Sequence, residues 1–235
     1  LLDHYVLKED VHMDAAYDQS ADWSYIMQHQ DDIPPSLLKL AMHNKETIPF
    51  VSHYLRQPQN LSLDLKTDLK SQEIPLLLQW DTRWGYRKYG DDFIAVNGCG
   101  PTCLSMVLSY LQNNASLNPY VIAKYAYQKG YYTQAGTSWR LMDEGARCFG
   151  VNASQMPLNE DMIKQELDQH HPIICSVGPG IFTTEGHFIV LREYKNGLIY
   201  VNDPNSRQHS QKGYRFDEIK NQIKNLWVYS KEKNR

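Results

Sequence analysis

The spacing of apolar residues changes character near residue 172, and that change constrains the fold more than any other feature of the chain. Leu104, Val107, Leu108 and Leu111 fall at i, i+3, i+4 and i+7, which predicts a helix with one buried stripe and Pro101 near its first position. Asn118-Pro119 opens a second helix that Gly130 ends, and Thr137-Ser138 opens a third carrying Leu141, Met142, Ala146 and Phe149 as far as Gly150. A fourth runs from the Asn159 cap to about Gln169 and is stopped by His171-Pro172. Ile173–Val177, His187–Tyr194 and Leu198–Asn202 are instead rich in β-branched and aromatic residues, and Asn196-Gly197 marks a hairpin between the last two. A helix is expected near Asp217–Leu226 and a closing strand at Trp227-Val228-Tyr229. Helices first and antiparallel strands later predict an α+β fold, not alternating βαβ units.

The N-terminal part reads differently. Residues 1–70 are polar and predict a helical extension, with one helix opened by Pro34-Pro35-Ser36 and another capped by Thr47 and ended by Pro58. Residues 71–235 are then the main domain. The chain of 235 residues is 42% hydrophobic, enough for a sizeable core. A net charge of −3 supplies no field that would recruit nucleic acid or anionic lipid, and no apolar run approaches the length of a membrane span. The first residues are Leu-Leu-Asp, from which a removed N-terminal piece is expected. The four cysteines, at 99, 103, 148 and 175, match neither a zinc ladder nor a disulfide framework, so thiols used singly are expected, with no metal or cofactor.

Signatures of phosphate loops, zinc peptidases, EF-hand calcium loops and serine-hydrolase elbows are missing from the sequence. Cys99 stands out. It lies between Gly98 and Gly100 just before the Pro101 helix, where free N–H groups and the positive end of the dipole favour a thiolate nucleophile. The flanking glycines would let a substrate backbone approach closely. Cys103, Cys148 and Cys175 are expected in the core.

Nine histidines compete for the role of base. His4, His12, His29, His43 and His53 belong to the extension, His170 and His171 to a helix terminus, and His209 to a polar loop. His187 follows Gly186 and opens the Phe188–Leu191 strand, at the rim of a sheet. The hairpin brings Asp203 back toward it, where an acidic partner on Nδ1 would fix the tautomer. A strict two-residue turn sets Asp203 opposite Val190, facing away from His187. A bulge, or departure of Asp203 from the ladder at Pro204, restores the match.

Taken together, Gln79-Trp80-Asp81-x-x-Trp84-Gly85, Asn97-Gly98-Cys99-Gly100-Pro101-Thr102, Gly136-Thr137-Ser138, Gly186-His187-Phe188 and Val201-Asn202-Asp203-Pro204 resemble cysteine peptidase family 39. This is the double-glycine, bacteriocin-leader-peptidase-like group of papain-like fold. The resemblance implies a helical lobe carrying Cys99 as nucleophile and an antiparallel sheet carrying His187 as general base and acid and Asp203 as its orienting residue. It implies Gln79 beside the Cys99 N–H in the oxyanion hole, hydrolysis of peptide or amide bonds through a thioester, and a peptide or cell-wall-peptide substrate. Stand-alone members with helical extensions resemble exported proteins of Gram-positive type. Two departures stand out. Gln79 lies twenty residues before Cys99, so Asp81–Asn97 must loop out and return, and no transporter membrane region is present, so leader cleavage during export is not implied. A transglutaminase-like acyltransferase is an alternative, although its cysteine is usually followed by an aromatic residue. A non-catalytic peptide or cell-wall binding module keeping the fold is another. The aromatics Trp80, Trp84, Tyr86, Tyr89, Tyr131, Tyr132 and Trp139 fit either a cleft wall or core packing.

Overall fold

A computed structural model describes residues 20–57 and 61–232; His4, His12 and Pro58 lie outside them. The chain divides into two compact units, residues 1–58 and 59–235. In the first, α1 (Ala21–Gln28) is capped by Ser20, whose Oγ accepts from the Trp23 N–H, and α2 (Pro35–His43) starts on Pro35. α3 spans Ile48–Ser52, and Ser52 Oγ ties it to α1 by donating to Asp22 Oδ1 at 2.7 Å. Thr47 precedes α3 as expected but does not cap it: its hydroxyl donates to the Asn44 carbonyl at 2.7 Å. Ile26, Leu37, Ala41, Phe50 and Val51 are buried.

Residues 61–70 pack within the second unit. Leu65 is fully buried in its core and donates its N–H to the Ala115 carbonyl, while Asp68 takes a two-pronged ion pair from Arg83. A hairpin of β1 (Lys88–Tyr89) and β2 (Asp92–Phe93) leads through the short α4 (Ile94–Asn97) into α5 (Cys99–Gln112). α6 (Pro119–Gln128) follows its Asn118 cap, and β3 (Tyr132–Thr133) pairs with β4 (Gly136–Thr137). Then come α7 (Glu144–Arg147), β5 (Val151–Gln155), α8 (Glu160–Asp168) and β6 (Ile173–Val177). β7 (His187–Lys195) and β8 (Leu198–Asn202) form the expected hairpin, with Asn196 at φ 53° and Gly197 at φ 76° as a two-residue primed turn needs. α9 (Arg207–Ser210), β9 (Gly213–Tyr214), α10 (Phe216–Ile219) and β10 (Ile223–Lys231) complete the described chain.

Among the described residues the main sheet is six-stranded and antiparallel, in the order β5-β10-β6-β7-β8-β9. Successive side chains point to opposite faces, and both faces are covered. Ile174, Phe188, Val190, Trp227 and Tyr229 join the core formed with α5 and α6. Ile173, Cys175, Val177, Ile189, Leu191 and Val201 join the second core, which includes Ile163 and Leu167 of α8 and Ile219 of α10. Burial on both sides explains why β6 carries apolar residues on both of its faces, with Ser176 the one polar side chain in it.

Several expectations change. The helix expected from Thr137-Ser138 to Gly150 is two pieces, a 3-10 turn at Trp139–Leu141 opened by the Ser138 hydroxyl and the short α7. Thr137 belongs to β4 and bonds Tyr89 instead. β5 was not foreseen: its alternation of buried Val151 and Ala153 with exposed Asn152 and Ser154 rests on small side chains. The helix expected over Asp217–Leu226 stops at Ile219, and the strand begins at Ile223, because Ile223, Leu226, Trp227 and Tyr229 are needed on the two faces of the sheet. Cys148 is exposed, not core, whereas Cys103 and Cys175 are buried.

Truncating Leu65 leaves a cavity in a core that the segment before residue 71 helps to close. Leu65→Ala is expected to lower the unfolding free energy by about 2–5 kcal/mol, read from the urea midpoint. An unchanged midpoint would mean that this segment is not part of the second unit's core.

Candidate active site

Cys99 is the first residue of α5, with Gly98 as its cap, so its own N–H lies among the donors that the first turn leaves unpaired. The two glycines are required by the packing around them. A Cβ at Gly98 would lie 2.4 Å from the Ile94 carbonyl oxygen, and one at Gly100 would lie 2.9 Å from the Thr137 side chain. They allow α4 to run into α5 and β4 to rest on the Cys99 turn.

His187 opens β7, and Asp203 follows β8. The pairing resolves the register question. Tyr194 faces Ile199 and Glu193 faces Tyr200, but beyond a bulge at Arg192 Leu191 faces Val201 and Val190 faces Asn202. The extra residue reverses parity, so the continuation of β8 sets Asp203 on the same side as His187. Asp203 has also left the ladder, forming an isolated bridge with Ser206. Both routes that could reconcile the positions are used.

His187 Nε2 lies 2.7 Å from Asp203 Oδ1, and both side chains are almost wholly buried. The carboxylate thus holds Nε2, not the expected Nδ1. Nδ1 is the ring nitrogen left over, and Cys99 lies near enough to favour the charged ring. Burial alone would raise the Asp203 carboxyl, but His187, His209 and the Asn205 N–H outweigh it and hold the pKa down to about 2. Burial likewise disfavours a charged His187, yet Asp203 and then Cys99 raise its pKa to about 10. With Asp203 ionised, the facing imidazole nitrogen must be the donor.

Gln79 is brought to the same place. Its N–H donates to the Pro204 carbonyl at 2.8 Å, and Nε2 donates to the carbonyls of Ala95 (2.8 Å) and Val96 (3.3 Å), just before the Cys99 turn. The loop between Gln79 and Cys99 does return. Ala95 N–H donates to the Gly85 carbonyl and Ile94 N–H to that of Arg87. Trp80 Nε1 donates to the Asn205 carbonyl, Trp84 Nε1 to that of Leu78, and Arg83 joins Asp81 to Asp68. Gln79 Oε1 is buried and has no partner.

Two further residues complete the neighbourhood. His209, read from sequence as part of a polar loop, places Nδ1 2.7 Å from Asp203 Oδ2. The signal that could have found it is Ser206 at a helix start three residues before, since Ser206 Oγ caps α9 at the His209 N–H. Trp139, 48% exposed, leans edge-on against Trp227, which neighbours Phe188, so an aromatic row runs from the surface to the residue beside His187. Trp80, Trp84, Tyr89 and Tyr131 are instead core. Among the described residues no group of three or more His, Cys, Asp and Glu side chains is placed to hold a metal ion, and no helix is long and apolar enough to cross a membrane.

Residues 71–234 match the family described as Peptidase_C39 like family. No curated protein matches the chain. Solved structures with a related course include the peptidase domain of Streptococcus ComA, a bifunctional ABC transporter of a quorum-sensing pathway (19% identity, 58% of this chain and 93% of that one, TM-score 0.42). A C39-like peptidase from Bacillus anthracis is 13% identical over 70% of this chain and 98% of its own, with TM-score 0.47. A double-glycine-motif protease of an AMS/PCAT transporter, solved with its leader peptide, is 16% identical over 55% and 84%, with TM-score 0.34.

The buried pair ties stability to pH. The share from Asp203 is present above the ordinary carboxyl range and lost as pH falls toward about 2; that from His187 is present below the ordinary imidazole range and lost as pH rises toward about 10. Asp203→Ala is therefore expected to cost most, about 3–5 kcal/mol, between roughly pH 4 and 6.5. The deficit should shrink toward either extreme in urea unfolding. A deficit that is the same at every pH would show that the pair is not ionised.

Proposed function

The chain belongs to the Peptidase_C39 like family, and from that premise we propose that it is a thiol hydrolase cutting peptide bonds with Cys99, His187 and Asp203. One observation carries the reading. His187 is clamped by Asp203 on Nε2, and Cys99, at the start of α5, lies near enough to favour the charged ring. The Cys99 thiolate attacks the carbonyl carbon of the scissile bond, and the carbonyl electron pair moves onto oxygen. That oxyanion is met by the Cys99 N–H and by the Gln79 amide, which exchanges its long bond to Val96 for the substrate. The His187 imidazolium gives its Nδ1 proton to the departing amine, leaving a thioester and a neutral ring. Water then loses a proton to Nδ1 and adds to the thioester, and collapse frees the acid and restores the thiolate–imidazolium pair. Asp203 stays ionised and holds the ring throughout.

The substrate is a peptide in this reading. Trp139 supports it, presenting a half-exposed ring two residues from Thr137, the residue in contact with Gly100.

Cys148 supplies an internal reference, because it is an exposed thiol whose sulfur bonds the Glu144 carbonyl. At pH 6, iodoacetamide is expected to label Cys99 at least about tenfold faster than Cys148, with Cys103 and Cys175 protected. His187→Ala should bring the two rates together, as followed by peptide mass mapping. Equal rates in the unmodified protein would overturn the nucleophile assignment. Gln79→Ala should leave labelling intact yet lower kcat for peptide hydrolysis by about 10²–10³, with little change in KM. A loss confined to KM would remove Gln79 from the oxyanion hole.

A further inference from the structure

The proposed triad uses one oxygen of Asp203, yet the structure spends a second histidine on the other. Oδ1 receives His187 Nε2 and the Asn205 N–H, and Oδ2 receives His209 Nδ1 at 2.7 Å. His209 is itself held in place. Its N–H is taken by Ser206 Oγ, its carbonyl accepts from the Tyr214 hydroxyl, and the Phe182 ring stands edge-on to its imidazole at 5.6 Å. The Asp203 N–H donates to Ser210 Oγ, so α9 grips the aspartate by both backbone and side chain.

We propose that His209 is a positioning residue, which by occupying Oδ2 fixes the rotation of the Asp203 carboxylate and keeps Oδ1 aimed at His187 Nε2. The inference rests on the reading of Cys99 and His187 as the reacting pair. A fully buried carboxylate oxygen that loses its donor carries a desolvation cost, relieved by rotating the carboxylate or protonating it. Either outcome weakens the support for a charged His187, and with it the thiolate that His187 pairs. The titratable groups that interact with this carboxylate are His187 from β7, His209 from α9, Cys103 from α5 and Tyr214 from β9, while Cys99 acts on the His187 ring. Arg192 lies beside them, directing its guanidinium at the Val201 and Ser210 carbonyls.

The test is the pH dependence of Cys99 alkylation in the full chain, comparing the natural protein with His209→Ala, His209→Asn and His187→Ala. In His209→Ala the acid limb, where the thiolate–imidazolium pair takes up a proton, is expected to move up by about one pH unit. That is a tenfold loss of rate on the limb. Asn places an amide donor near Nδ1 without a titrating ring, so His209→Asn should restore the profile to within about twofold. A merely structural role would lower the melting temperature and leave the limb in place. Superimposable profiles for the natural protein and His209→Ala, or equal displacement in the Ala and Asn variants, would overturn the proposal. Should His209→Ala not fold, nitrogen NMR of labelled histidine in the natural protein decides instead. A His209 proton on Nδ1 is expected, and a neutral ring protonated only on Nε2 overturns it. His187→Ala separates the two readings. If it leaves the natural profile unchanged, the cysteine–histidine pair itself fails; if it abolishes the limb while the His209 variants do not move it, only the role of His209 falls.

Discussion

A carboxylate with no exposure to water sits at the junction of every element that carries the site. Taking such an ion out of water costs several kcal/mol, and Asp203 is tolerable there only because three donors converge on its two oxygens. Those donors come from the start of β7, from the turn after Pro204 and from α9. Satisfying this buried charge therefore dictates where β8 must end, how the following loop must fold back, and which nitrogen of His187 is left over.

The same loop reaches forward to the other half of the site. Pro204 and Asn205 offer their carbonyls to the Gln79 N–H and the Trp80 indole, so the aspartate turn and the Gln-Trp segment are stitched together directly. On its far side the Gln79 amide binds the carbonyls of Ala95 and Val96, the last residues but one before the cysteine's turn. The twenty residues between Gln79 and Cys99 leave and return across this clasp. Arg83, bonded to Asp81 and Asp68 and stacked on Trp84, stiffens the outgoing arm. What binds the sheet's aspartate to the helix's cysteine is thus a short polar seam.

The legible parts of this arrangement are those that regular elements impose. The apolar stripe from Leu104 to Leu111 locates the helix behind Cys99, and Asn196-Gly197 with its flanking strands brings His187 and Asp203 to one end of a hairpin. What the sequence conceals are features that depend on partners remote in the chain. Nothing in Arg192 marks it as a bulge, yet that residue reverses the parity of the pairing and decides which way Asp203 faces. His209 looks like loop because α9 is a single turn, and its meaning comes only from Asp203 six residues earlier. Ile223 and Leu226 sit at a spacing compatible with the helix before them, and only the demand of both sheet faces turns that stretch into β10.

The four thiols differ in exposure and in position, and the proposed nucleophile is set apart by neither alone. Cys148 is open to solvent, but its sulfur meets the Glu144 carbonyl of its own turn and the neighbouring Tyr125. Cys103 shares α5 and its dipole with Cys99 and lies one turn further on, yet complete burial pushes its pKa well up, with the nearby Cys99 and Asp203 adding to it. Cys175 is pushed up by burial in the sheet. Cys99 alone combines partial exposure, the first position of a helix and the side of a histidine whose charge is anchored from behind. The anchor is the costly part, because a buried ion must be fully satisfied, and it is the part that the fold spends the most structure on.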